Sequence, residues 1–114
     1  MSRIVMTLTE NVETSYLSPF FSKAKWLSVV ETDTMNWWYQ RNEEKTAAWV
    51  VRRICESRPH FLICGFIDLK CLEHAAQHDI DVRLGPGNAP AQDLVSRIMK
   101  LPRALDCMAA SNPR

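Results

Sequence analysis

Apolar and polar positions change period along this chain, and the changes mark out its elements. Arg3–Leu8 (RIVMTL) is a β-branched, apolar run that predicts a strand. The polar stretch Thr9–Ser18 behind it cannot bury itself and reads as a loop ending at Pro19, after which Phe20 and Phe21 bring the chain back into structure beside Ser22, Lys23 and Ala24. Lys25–Thr32 (KWLSVVET) has a nearly continuous apolar centre and Met35–Arg41 (MNWWYQR) is aromatic. With Asp33-Thr34 as the turn they predict an antiparallel pair, although no glycine is present for the favoured two-residue hairpin. Neighbouring strand residues point to opposite faces, so one of Trp37 and Trp38 faces the core and the other a covering helix or solvent.

From Asn42 the period becomes helical. Asn42 is read as the cap, Glu43 and Glu44 suit the positive end of the helix dipole, and Ala47, Val50, Val51 and Ile54 recur on one face as far as Ser57. Pro59 stops the helix, and His60–Cys64 (HFLIC) is a short apolar run of the kind a buried parallel strand shows, ended by Gly65. Asp68 caps a second helix running to about His78, with Leu72, Ala75 and Ala76 on its buried side. Ile80–Leu84 alternates as a half-buried strand does. The turn Gly85–Asn88 (GPGN) follows, and Pro90 opens a helix carrying Leu94, Val95, Ile98 and Met99, closed by Pro102. Arg103–Arg114 has no period and reads as a loosely ordered tail, leaving 1–102 as the domain. The order β-β-β-α-β-α-β-α, with right-handed crossovers, predicts a three-layer α/β/α sandwich around a five-stranded mixed sheet, its second strand opposed to the rest and its third at the edge.

Composition narrows the function classes. A chain of 114 residues, 46% hydrophobic and 24% charged, is one ordinary globular domain. A net charge of +1 gives no broad field to hold nucleic acid, which leaves only a local basic patch open. No apolar run approaches the roughly 20 residues of a membrane span, and no signal-peptide stretch is seen, so a cytoplasmic protein is expected. The cysteines, Cys55, Cys64, Cys71 and Cys107, fit neither zinc-ribbon nor redox spacing, and Cys55 and Cys64 read as core residues. His74 and His78 share a helix face at a metal-binding spacing but are expected to lack a third partner nearby, so they read as an exposed pair. His60 reads as structural or solvent-facing. The first strand and HFLIC carry no carboxylate, which argues against a two-metal nuclease, and no nucleophile elbow occurs. A non-enzymatic protein is expected.

In an open sheet, ligands bind beyond the carboxyl ends of the parallel strands. Three segments meet there: the loop Thr9–Phe21, the turn Gly65–Asp68 and GPGN. The last two each open into a helix, so free backbone N–H groups are expected to favour an anionic ligand. For Gly65, Gly85 and Gly87, the chain's three glycines, close approach to a ligand competes with tight turns at positive φ.

The segment Ser18-Pro19-Phe20-Phe21-Ser22-Lys23-Ala24, the strand–Gly65 turn, and Ile80-Asp81-Val82-Arg83-Leu84-Gly85-Pro86-Gly87 resemble the dinitrogenase iron-molybdenum cofactor biosynthesis family of NifX, NafY and C-terminal NifB domains, over roughly residues 2 to 101. The resemblance implies a small α/β/α domain with a ribonuclease H-like motif that carries iron-molybdenum cofactor or an iron–sulfur precursor. It also implies nitrogenase or cofactor-assembly proteins as partners. The expected cargo-binding residues are Thr9, Glu10, Ser18, Phe20, Phe21, Gly65, Phe66, Gly85 and Gly87. The family commonly has His-Phe-Gly where this chain has Phe20-Phe21-Ser22, and Gly-Gly where it has Gly65-Phe66, so a metal role needs another ligand. Cys64, at the end of its strand, and Cys71, near a helix N-terminus that lowers thiol pKa, are the candidates. The competing reading, prompted by Phe20 and by the Trp37, Trp38, Tyr39 cluster, is a protein-interaction module or a homodimer paired along the third strand.

Overall fold

The computed structural model describes residues 2–110, with side chains as far as Cys107. Its centre is a five-stranded sheet of β1 (Arg3–Leu8), β2 (Trp26–Glu31), β3 (Asn36–Arg41), β4 (Phe61–Cys64) and β5 (Asp81–Leu84), in spatial order β3-β2-β1-β4-β5. β2 pairs antiparallel with β1 and β3, and β1, β4 and β5 are parallel, so only β2 is reversed and β3 is an edge. The helices are α1 (Ala47–Ser57), α2 (Leu69–Gln77), α3 (Ala91–Ser96) and α4 (Ala104–Ala110).

Period-two strands between helical faces give two cores. Val5, Leu27, Val29, Leu62, Cys64 and Val82 pack under Trp49, Val50 and Ile54 of α1, Leu72 and Ala75 of α2, and Ala104 of α4. Ile4, Met6, Leu8, Val30 and Ile63 face the other way, against Ala91, Leu94 and Val95 of α3. The fold is therefore the three-layer α/β/α sandwich its pattern predicts. The tryptophans split as their alternation requires: Trp37 stacks near Tyr39 at 6.4 Å on the α3 side, and Trp38 on the opposite face is exposed.

Four boundaries differ from the sequence reading, each for a local reason. α1 begins after Thr46, whose side chain accepts from the Trp49 N–H at 3.1 Å. Asn42 is instead buried, donating through Nδ2 to the Ala24 carbonyl at 2.9 Å and accepting the Lys45 N–H at 2.8 Å, so it ties β2 to the α1 approach. The β2–β3 hairpin has a longer loop, Thr32 to Met35, with Met35 at φ 54, where glycine is absent. α3 stops at Arg97 and a 3₁₀ turn, Ile98–Lys100, follows, leaving Met99 exposed rather than on the helix's apolar face. The supposed tail from Arg103 forms α4, anchored by the buried Ala104; residues 111–114 of that tail lie outside the described residues.

Two buried hydroxyls, Thr7 Oγ1 and Ser28 Oγ, have no hydrogen-bond partner among the described residues. A hydroxyl stripped of water without compensation is destabilising, so Thr7→Val should stabilise the domain by about 1 kcal/mol. A higher urea midpoint at unchanged slope would show it; an unchanged or lower midpoint would not fit an unsatisfied Thr7.

Candidate functional site

At the carboxyl ends of β1, β4 and β5 the three expected segments do meet. The Phe66 N–H donates to the Pro19 carbonyl and the Phe21 N–H to the Phe66 carbonyl, both at 2.9 Å, so the first loop is laid along the β4 exit like an added strand. Gly65 makes this approach possible, because a Cβ there would lie 2.9 Å from the carbonyl oxygens of Ser18 and Pro19. Gly85 is hemmed by Leu17, Leu94 and Ile63, and Gly87 is open. No described glycine has positive φ, so tight-turn conformation is not what these glycines supply.

The rim's amides, however, are mostly spent internally. The Ala91 and Gln92 N–H groups of α3 donate to the Ser15 and Glu13 carbonyls at 2.8 and 3.0 Å, and the Gly85 N–H to the Cys64 carbonyl at 3.0 Å. Asp68 occupies the start of α2, accepting the Cys71 N–H at 2.8 Å. Ser15 Oγ lies 3.2 Å from Thr9 Oγ1 and accepts the Glu10 N–H at 3.0 Å, while Ser18 Oγ donates to the Phe20 carbonyl at 2.9 Å. The expected row of free amides is thus corrected: loop carbonyls and side chains near in space have taken the donors, pairings that sequence spacing does not reveal.

Beside the exposed carboxylates of Glu10, Glu13 and Asp68, the rim presents aromatic and cationic groups. Phe20 and Phe66 are half-exposed, with rings edge to face at 6.0 Å, and Lys23 Nζ lies 5.7 Å from the Phe20 ring. Phe21, by contrast, is buried in the α1-side core. Lys23 also lines a cleft of about 650 Å³ shared with Lys25, Trp26, Arg41, Asn42 and Lys45. No carboxylate lines this cleft, and none of its four cations forms an ion pair among the described residues. The local basic patch that net charge could not exclude is here. Sequence spacing does not reveal it, because Lys23 and Lys25 ahead of β2 meet Arg41 and Lys45 only when the β2–β3 hairpin sets Trp26 opposite Arg41.

The two cysteines expected at the rim are elsewhere in character. Cys64 ends β4 but turns into the core, fully buried, where burial and then the neighbouring Cys71 push its thiol up to about 12. Cys71 sits in the first turn of α2, yet its thiol is pushed up to about 11 rather than lowered. Burial is the main cause, with the hydrogen bond and negative charge of Asp68 adding to it. Asp68 itself is held below the usual carboxylate range by the Cys71 N–H and side chain.

A second groove, about 1000 Å³, runs between α1 and α2 and contains Cys55, Cys71, His74 and His78. Cys55 is half-buried on the groove wall, not in the core, and corrects the expectation that His74 and His78 lack a third partner nearby, because α1 packs beside α2. His60, read as structural or solvent-facing, is exposed, and its Nδ1 accepts the Arg3 N–H at 3.0 Å.

No known family profile and no characterised protein matches the chain. Solved structures share its fold, two of them as follows. The apo form of the orange protein from Desulfovibrio gigas superposes with a TM-score of 0.83 at 20% identity, over 91% of this chain and 93% of that one. A candidate NifB protein from Thermotoga, of the DUF35 family, gives 0.75 at 17%, over 90% and 93%. Identities this low establish architecture. Among the described residues no helix is long and apolar enough to cross a membrane.

Proposed function

We propose that this protein is a non-catalytic carrier that holds an anionic metal–sulfur cargo, iron-molybdenum cofactor or an iron–sulfur precursor of it, against the rim and its cationic cleft. The observation that carries the reading is the cleft of Lys23, Lys25, Arg41 and Lys45, uncompensated by any lining carboxylate and continuous through Lys23 with the exposed Phe20–Phe66 pair. The donor set fits cargo held by charge and apolar contact rather than by ligation, since Cys64 is buried and Phe20 stands where a ligating histidine is expected. Shared architecture with a protein described in its apo form and with a candidate NifB protein supports the same reading. So does the absence of a carboxylate from β1 and β4, together with the engagement of Asp81 on β5 by Arg83, because the parallel strands then present no acidic cluster for metal-assisted hydrolysis. Nitrogenase and cofactor-assembly proteins are the partners this role requires.

Anaerobic titration with tetrathiomolybdate, a soluble anionic metal–sulfur probe, tests it. Exposed ion pairs contribute up to about 1 kcal/mol each, so the triple variant Lys23→Ala, Lys25→Ala, Arg41→Ala should bind about 100-fold more weakly than wild type. Wild-type binding should also weaken with added salt. Equal affinity in wild type and triple variant, or no binding by wild type, would overturn the proposal. The alternative, a contact module, is favoured by the exposed Trp38 on the edge strand β3, and a wild-type chain that ignores the probe but self-associates would support it.

A further inference from the structure

We infer that Cys55, His74 and His78 form a binding site for a transition-metal dication of the zinc type, in the groove between α1 and α2 and separate from the cationic rim. One ligand atom from each of the three lies within 4.8 Å of the others. A tetrahedral zinc ion with one sulfur at about 2.3 Å and two imidazole nitrogens at about 2.0–2.1 Å places its ligand atoms about 3.3–3.6 Å apart. Closing the remaining gap of roughly 1 Å takes only side-chain rotation, because both imidazoles are exposed and Cys55 is half-buried.

Three features make this more than a chance meeting of side chains. The ligands come from two helices separated in sequence by β4, so α1–α2 packing builds the cluster. His78 caps the C-terminus of α2 one turn after His74, with ring centroids 4.7 Å apart, the juxtaposition a shared ion needs. His78 Nδ1 lies 3.0 Å from the His74 carbonyl oxygen, and donation there leaves Nε2 as the lone-pair nitrogen, the second-shell arrangement that orients metal-bound imidazoles.

The donor set selects the metal. One thiolate and two imidazoles suit zinc and other late first-row dications and disfavour magnesium and calcium, which take oxygen ligands. Three protein ligands leave a fourth position open, and the groove that also holds Arg58 and Lys70 gives water or an anionic ligand room to fill it. Ion binding displaces the proton of the Cys55 thiol, which burial otherwise holds protonated above its ordinary range.

The test uses the reduced, metal-free full chain. Calorimetric titration with Zn²⁺ should show one ion per chain. Cys55→Ser, His74→Gln and His78→Gln should each bind at least about 100-fold more weakly, since even outer-sphere partners of a metal cost about 10–100-fold. Co²⁺ substitution gives a second readout: thiolate-to-metal charge transfer should appear in wild type and persist in Cys71→Ser and Cys107→Ser. It should vanish in both Cys55→Ser and Cys55→Ala, with unchanged far-ultraviolet circular dichroism. Sub-stoichiometric Zn²⁺ in wild type, ligand variants that bind as wild type does, or charge transfer that follows Cys71 or Cys107 would overturn the site. Because tetrathiomolybdate binding is read on different residues, either proposal can fail alone.

Discussion

Asp81→Ala should destabilise the domain by about 3 kcal/mol, although Asp81 sits on the polar side of a strand that reads as half-buried. Its carboxylate takes two bonds from Arg83, Nε to Oδ1 at 3.1 Å and Nη2 to Oδ2 at 3.0 Å. Arg83 is only 7% exposed, lies 5.9 Å from the Phe61 ring centroid, and donates through Nη1 to the Leu101 carbonyl at 2.9 Å. Removing Asp81 leaves a buried guanidinium without its counter-charge, and breaking such pairs costs about 3–5 kcal/mol; the partial exposure of Asp81 places this one at the low end. Arg103 Nε, 3.7 Å from the same carboxylate, also loses its partner, so the start of α4 should loosen with it. Arg83→Met with Asp81→Ala should recover most of the loss, because replacing a buried pair by apolar groups is often near neutral. Urea unfolding of the two single variants and the double variant closes the cycle. A loss below about 1 kcal/mol for Asp81→Ala, within the range of exposed pairs, would mean that the pair is not desolvated as described.

The second large effect is expected at the rim. Gly65→Ala should cost about 2–3 kcal/mol, because its Cβ would stand 2.9 Å from two backbone oxygens that have no side-chain freedom to retreat. Relief requires the loop to lift from the β4 exit, breaking the Phe66–Pro19 and Phe21–Phe66 hydrogen bonds and displacing Phe20 and Lys23. Tetrathiomolybdate affinity should therefore fall along with the melting temperature. Gly87→Ala is the control: nothing lies within 4 Å of its Cβ position, and its effect should stay within about 0.5 kcal/mol. Equal stabilities for the two variants would show that the loop does not rest on Gly65.

Much of this molecule is legible in one dimension. The apolar runs of β1 and β4, the helical stripe Val50, Val51 and Ile54, and the cap at Asp68 with the helix it opens are local signals, since period and capping act over only a few residues. They determined five strands, the sandwich, the reversal of β2 and the meeting of three segments at one edge of the sheet. Where two local signals competed, contacts distant in sequence chose: Asn42 and Thr46 can each cap, and Asn42 was claimed by the Ala24 carbonyl. Arg103 to Ala110 carries too little period to read as a helix, but Asp81 and the groove beside β5 hold its start in place.

The chemistry of the sites belongs to the third dimension. Charge adds over space rather than over sequence, so a chain of net charge +1 still gathers Lys23, Lys25, Arg41 and Lys45 around one cleft once the hairpin folds. Ligand sets depend on angles and distances between elements, so Cys55 becomes a partner of His74 and His78 only when α1 lies beside α2. Burial decides thiol chemistry: at Cys71, in the first turn of α2, desolvation with the hydrogen bond and charge of Asp68 pushes the thiol up. The order and type of the elements were thus written along the chain, where interactions reach only a few residues. Which amides are spent, which charges are bare and which donors converge was decided by packing, because those properties exist only between segments.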